Sequence, residues 1–226
     1  TSDLLKKPNG FFALLKTPQK VIGLTSAPLY GAEDSREVLF GDDSVRYITR
    51  TADVKTELSA QISRSMPCEV KTIRIDNRRS RHIDCELLLY LEPALASWND
   101  DAAHPAFSKL FVDIGYQPST GIITAKRKSR MGEDSLYLAA GFLEDLEFSM
   151  EFNREHVLRS PKGIFSLSDA FQQNFNGKDG AIPDPCIAVK TKLNLPQHAS
   201  QEVHFVLSVG QTAEQAADGI IGLRGS

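Results

Sequence analysis

The chain contains no run of about eighteen consecutive apolar residues, so it carries no candidate for a membrane-spanning helix. Its first ten residues, T-S-D-L-L-K-K-P-N-G, have too short an apolar core for a secretory signal. Charge of neither sign is in excess. Lys and Arg number 26 against 29 Asp and Glu, a net of −3, so the electrostatic footprint of a nucleic-acid binder is missing. Cysteine is scarce: Cys68, Cys85 and Cys186 form no C-x-x-C pair and match no common zinc spacing. An odd cysteine count favours a reduced compartment, and all three are expected to be free and buried as small apolar residues. The short catalytic signatures are absent as well, with no P-loop, G-x-G-x-x-G, G-x-S-x-G or H-E-x-x-H.

What the sequence does contain is period-two alternation. Val54, Thr56, Leu58, Ala60 and Ile62 share one face, and Lys55, Glu57, Ser59 and Gln61 the other, which predicts a half-buried strand. Ile83, Cys85, Leu87, Leu89 and Leu91 alternate too, but Leu88 and Tyr90 stand opposite, so this strand is expected to be covered on both sides. Leu110–Tyr116, Phe148–Phe152 and Val203–Val209 follow the same rule. Val21–Leu24, Val45–Thr51, Val70–Asp76, Ile122–Arg127, Leu136–Phe142 and Ile187–Leu193 are further strand candidates. Turn residues at 41–44, 76–80 and 118–121 suit hairpins. Many strands at short spacing predict an all-β fold, a large antiparallel two-sheet sandwich. Thr212 and Gln215 form a T-x-x-Q capping box that predicts a short C-terminal helix. Residues 161–185 show weak periodicity and are expected to form a long ordered loop crossing between sheets. With 41% hydrophobic content over 226 residues, one core suffices, and residues 1–226 are expected to be a single domain.

The loop between two strong strands, Trp98-Asn99-Asp100-Asp101-Ala102-Ala103-His104-Pro105, is polar and aromatic. An aromatic face can stack on the apolar face of a pyranose while carboxylates accept from its hydroxyls. Trp98, Asp100 and Asp101 are therefore candidate sugar contacts, against the plainer role of a tryptophan packed on the sandwich edge. Asp100 and Asp101 are adjacent, whereas paired glycosidase acids lie about 5–10 Å apart on different elements, so catalysis by this pair is not expected. The pair also lacks the further oxygens and spacing of a calcium loop. His104 has no second histidine near it in sequence, so no metal site is expected. It is assigned to holding the loop or to an interface, and Ser108 and Lys109 are treated alike. Cys186, in Asp184-Pro185-Cys186, lacks a base to activate it and reads as core. Lys126-Arg127-Lys128-Ser129-Arg130, the one basic run, suits a solvated hairpin or an anionic partner.

The runs L-Y-L-E-P-A-L-A-S-W-N-D-D-A-A-H-P-A-F-S-K-L-F-V (89–112), I-P-D-P-C-I-A-V-K-T and E-V-H-F-V-L-S-V-G-Q resemble the N-terminal β-sandwich of glycoside hydrolase family 94. The family comprises inverting phosphorylases. The resemblance is strongest to cyclic β-1,2-glucan synthases and β-1,2-oligoglucan phosphorylases. It implies a supersandwich related to galactose mutarotases, excised from a longer enzyme whose acid and phosphate site lie in a helical barrel. No residue here inherits those roles. No cofactor is implied for this chain, with inorganic phosphate reserved for the parent. The implied partners are a β-glucan oligosaccharide, the parent's catalytic barrel and a second copy in a parent homodimer. The implied location is cytoplasmic, with the parent on the cytoplasmic side of the inner membrane. The leading expectation is a non-catalytic carbohydrate-binding or scaffold domain. The alternatives are a self-contained mutarotase-like epimerase, which needs a histidine and a carboxylate converging on the concave sheet, and a pure assembly module. One departure from the family pattern is Asn153-Arg154-Glu155, where relatives carry a T-D-R.

Overall fold

A computed structural model describes residues 10–29, 35–97, 99, 101, 105–128, 136–159, 162–177, 179 and 182–225. Thirteen strands form among them: β1 (Phe11–Lys16), β2 (Val21–Gly23), β3 (Ser35–Phe40), β4 (Ser44–Arg50), β5 (Val54–Ile62), β6 (Cys68–Asn77), β7 (Ile83–Leu91), β8 (Val112–Gln117), β9 (Ile122–Arg127), β10 (Tyr137–Phe142), β11 (Phe148–Asn153), β12 (Pro185–Leu195) and β13 (Ser200–Gly210). They make two sheets. The smaller runs β11-β12-β7-β1-β2 and the larger β3-β4-β5-β6-β13-β10-β9-β8. Neighbouring strands pair antiparallel throughout. Among the described residues they are accompanied by the α-helices α1 (Pro105–Lys109), α2 (Arg154–Val157) and α3 (Ala213–Arg224).

Alternation decides how the layers stack. Leu87 and Leu89 of β7 point into the inter-sheet core with Leu58, Ile73, Ile75, Phe142 and Phe205. Leu88 and Tyr90 point the other way, into a second apolar cluster with Phe12, Leu14, Ile164, Leu167 and Phe171. The smaller sheet is therefore buried on both faces, as the doubly apolar sequence of β7 requires. A third cluster lies on the outer face of the larger sheet, where Ala216 and Ile220 of α3 cover Cys68, Ile122, Ala139 and Val206. Thr212 caps α3 by accepting from the Gln215 N–H at 3.2 Å, and the Gln215 side chain accepts from the Gln211 N–H at 3.0 Å. Cys68, Cys85 and Cys186 are free and buried.

Two expectations are corrected. Residues 161–185 do not cross between sheets, because β11 and β12, which flank them, are neighbours in the same sheet. Nor are they all loop: Gly163–Gln172 is a 3₁₀ helix that roofs the smaller sheet. Ile164, Leu167 and Ala170 are buried three residues apart. That is the 3₁₀ period, and it matches neither the strand nor the α-helix template. Lys190 of β12 ties the roof down, donating to the carbonyls of Ala170 (3.2 Å) and Gln173 (2.7 Å). The second correction concerns 76–80, which are no hairpin, since β6 and β7 belong to different sheets. Asn77 organises this crossing by reaching the carbonyls of Arg81, Leu195 and Pro196, and buried Asp53 pairs with Arg79. Turn chemistry signals a reversal but not which sheet receives the next strand. The structure also adds β1 and β3, and the basic run splits, with Arg127 ending β9 and Lys128 paired to Asp113 at 3.0 Å. Ser129 and Arg130 lie outside the described residues.

Helix α3 sits so close to β13 that a Cβ on Gly219 would fall 2.2 Å from the Ser208 Oγ and 3.0 Å from its Cβ. Ser208 is fully buried, and its hydroxyl has no hydrogen-bond partner. Gly219→Ala should lose about 1–3 kcal/mol to overpacking, despite a helix-propensity gain of about 1 kcal/mol. Ser208→Ala alone should be neutral or stabilising. The double variant should recover part of the loss. Urea denaturation of the four proteins measures the cycle, and simple additivity would contradict the contact.

Candidate functional site

Strand β7 ends on Leu91, and the next residue, Glu92, carries a carboxyl side chain only 4% exposed. A buried carboxylate without partners would cost several kcal/mol. Here it is met by the Lys109 Nζ at 2.5 Å, the Arg154 Nε at 2.9 Å and the Tyr90 hydroxyl. Asp184 bridges the same two cations, at 3.0 Å from Lys109 and 3.3 Å from Arg154. Two cations and two carboxylates thus balance. Burial opposes the charge on Lys109, but Glu92 and Asp184 outweigh it and raise its pKa above the ordinary lysine value. Arg154 is raised in the same way, against desolvation, by Glu92, Tyr90 and Asp184.

Four chain segments deliver these groups. Lys109 is the last residue of α1, and Asp184 directly precedes β12. Arg154 opens α2. Asn153 caps that turn by accepting from the Glu155 N–H, and the Arg154 N–H donates to the Asp184 carbonyl at 2.9 Å. Buried Glu151 accepts from the N–H groups of Phe152 and Asn153 at the bulge before it. The departure at Asn153-Arg154-Glu155 is therefore a cap and a cluster cation. Cys186 is fully buried beside the cluster, and desolvation pushes its thiol pKa well up, which suits packing and not nucleophilic chemistry.

Among the residues singled out by sequence, Lys109 enters the cluster and buried Ser108 takes a hydrogen bond from Arg127 at 3.0 Å. Asp101 is also buried, its N–H donating to the Ser97 carbonyl at 3.1 Å. Trp98, Asp100 and His104 lie outside the described residues. Phe107 and Leu110 remain about half exposed, at 51% and 52%.

On its other side Glu92 forms part of the wall of a groove of about 390 Å³, within the range of about 300–1,000 Å³ usual for ligand pockets. The inner face of the larger sheet supplies its floor through Tyr47, Leu58, Glu69 and Lys71, and Phe11 at the start of β1 supplies the opposite side. The floor runs on into an exposed strip. Val38 and Phe40 pair across from Tyr47 and Val45, and Phe40 is 85% exposed. Sequence reasoning missed the groove. Its one legible trace was parity, since Glu69 and Lys71 share a face with Ile73 and Ile75.

His204 is flanked by carboxylates, its Nδ1 2.6 Å from Glu144 and its Nε2 3.3 Å from Glu202. It alternates with the core residues Val203 and Phe205, so this triad sits on the outer face of the larger sheet, away from the groove. No described histidine lines the groove. Among the described residues no three of His, Cys, Asp and Glu gather to hold a metal ion, and no helix is long and apolar enough to cross a membrane.

A family described as Glycosyl hydrolase 94, supersandwich domain, matches residues 2–224. The cyclic beta-(1,2)-glucan synthase of Rhizobium meliloti (strain 1021) is 23% identical over 188 residues, covering 80% of this chain and 7% of that protein. A bacterial glucoamylase, solved with acarbose, superposes with a TM-score of 0.58 at 13% identity, covering 96% of this chain and 29% of its own. A polysaccharide lyase superposes with a TM-score of 0.50 at 12% identity, over 94% of this chain and 27% of its own. The chain thus spans under a third of each. The two structural likenesses establish the sandwich fold alone.

Glu92→Ala should lower unfolding stability by about 3–5 kcal/mol, because it leaves two buried cations facing one carboxylate. The raised pKa of Lys109 fixes the pH window of its contribution. That contribution is full below the unfolded lysine value of about 10.4 and is lost as pH rises through the folded value. Denaturation at neutral pH and in the alkaline range tests both statements. A loss below about 1 kcal/mol at neutral pH would mark the cluster as solvated.

Proposed function

The chain belongs to the glycosyl hydrolase 94 supersandwich family, and on that premise we propose that it is a non-catalytic, carbohydrate-binding module of a β-glucan phosphorylase or cyclic β-1,2-glucan synthase. The observation that carries this is the groove on the inner face of the larger sheet, where Phe11 and Tyr47 stand beside Glu69 and Lys71. Aromatic rings for the apolar face of a sugar, with donors and acceptors alongside, are what a saccharide site requires. Among the described residues, self-contained epimerase chemistry lacks this support. It needs a histidine within hydrogen-bond reach of a groove-bound sugar, and His204 stands on the outer face.

A second part of the proposal concerns the parent enzyme. Lys109 and Ser108 hold the 105–110 segment against the sandwich, which leaves Phe107 and Leu110 facing outward on a fixed base. That patch suits docking to the parent's helical barrel, with Trp98, Asp100 and His104 nearby in sequence. A homodimer contact in the parent and a cytoplasmic location belong to the same reading. Inorganic phosphate would act only in the barrel.

Calorimetric titration with β-1,2-gluco-oligosaccharides should show binding, and Tyr47→Ala should weaken it about tenfold or more, equivalent to about 1.4 kcal/mol, without altering the circular dichroism. The protein should release no glucose 1-phosphate from β-1,2-glucan above a denatured control. Absence of binding sinks the groove reading, and turnover sinks the non-catalytic one. For the docking patch, Phe107→Ser with Leu110→Ser should lower the parent's activity and leave the stability of this domain within about 0.5 kcal/mol. Unchanged parent activity refutes docking there.

A further inference from the structure

Lys71 is the anomaly of the groove. It stands on the inner face of β6 in register with Ile73 and Ile75, and only 3% of it is exposed. An ammonium group offers three donors. Among the described residues its partners are one Glu69 carboxylate oxygen, at 2.7 Å, and the ring of Phe11, 4.7 Å away at its centroid. Burial lowers its pKa while Glu69 opposes the shift. Glu69 is better exposed, at 38%, and its carboxylate has further acceptor capacity. Glu92, the third charged group on the wall, already receives three donors from behind. The groove therefore presents an under-used cationic donor beside an under-used anionic acceptor, next to two aromatic rings.

Hydroxyls on neighbouring carbons of a sugar ring complement that pair. One accepts from the ammonium while the other donates to the carboxylate, and both bonds are charge-assisted. We propose that Lys71 and Glu69 read a free vicinal diol on a neutral pyranose, with Phe11 and Tyr47 flanking the ring, and that this makes the groove selective for glucan linkage. The inference rests on the groove being a saccharide site and goes on to say which saccharides it takes. In a β-1,2-linked glucan every internal glucose keeps its 3- and 4-hydroxyls free and adjacent. In a β-1,3-linked glucan an internal glucose keeps only the 2- and 4-hydroxyls on its ring, which are not neighbours. Internal segments of the first chain fit the pair, whereas the second offers neighbouring ring hydroxyls only at its two ends.

The test is isothermal titration of the protein with cyclic β-1,2-glucan, which has no ends, and with linear β-1,3-glucan of similar length. Wild type should bind the cyclic β-1,2-glucan at least tenfold more tightly. Glu69→Gln removes the anionic acceptor. Lys71→Met replaces a buried ammonium with an apolar chain of similar length, and the carboxylate it leaves behind, Glu69, is 38% exposed and so stays hydrated. Each should cost the β-1,2 ligand at least tenfold and bring the two glucans to within about threefold of each other, with the unfolding midpoint not lowered for Lys71→Met. Equal wild-type affinity for both glucans, or full β-1,2 affinity in Glu69→Gln, overturns the diol inference while leaving the groove a sugar site. Failure of wild type to bind either glucan overturns both readings.

Discussion

From Leu87 onward, strand β7 has no polar face. Every residue from Leu87 to Leu91 is buried, so water must be kept from both sides of the sheet that contains it. The rest of the architecture answers that demand. The larger sheet closes one side through the inter-sheet core, and the 3₁₀ helix closes the other. At about 25 cal/mol for each Å² of apolar surface removed from water, burying several large side chains on each face outweighs any single polar contact in the molecule. The cover is fastened by Lys190, a buried cation that would be costly unless hydrogen-bonded and that donates to the carbonyls of Ala170 and Gln173.

A strand buried on both faces has a problem where it ends. The chain must turn toward polar surroundings, and Glu92 is the first residue to do so. Its carboxylate is dry enough that two cations and a tyrosine hydroxyl converge on it, drawn from α1, α2 and β7 itself. Asp184 closes the arrangement from the start of β12. Buried ion pairs of this kind add little net stability, because desolvation offsets attraction, but they penalise any arrangement that leaves one partner alone. The cluster thereby fixes where the 105–109 turn rests and how the groove wall is placed.

Unequal sheet size produces the groove. Eight strands face five, so the β3–β4–β5 side of the larger sheet extends past its cover. Its inner-face residues emerge from the core in sequence: Leu58 is buried, Tyr47 half-buried, Val38 and Phe40 exposed. Charged side chains belong at that margin. Glu69 and Lys71 occupy the positions on β6 where the inner face stops being core. The opposite face of the same strands is laced with cross-strand ion pairs such as Arg46–Glu57 and Lys55–Asp76, a solvated surface with little to offer an apolar partner.

Much of this was legible in the chain. Period two gave the extents of β5 and β7 to the residue, the opposed apolar sets of β7 required cover on both sides, and the T-x-x-Q box placed the start of α3. Local rules of this kind work because a strand or cap depends on its nearest neighbours along the chain. Three features escaped them. The 3₁₀ roof repeats every third residue and imitates a loop. The crossing at Asn77 has the residues of a hairpin, and only packing of the two sheets decides that β7 joins the other one. Glu92, Arg154 and Asp184 are up to 92 positions apart by number from one another and from no shared motif, and they meet because the ends of β7, β11 and the start of β12 align in one sheet. The sequence by itself therefore determined strands, faces and caps, which are set by short-range periodicity. The tertiary structure decided the charge cluster and the groove, since both arise from sheet order and from the unequal width of two sheets, and neither quantity is written in any local window.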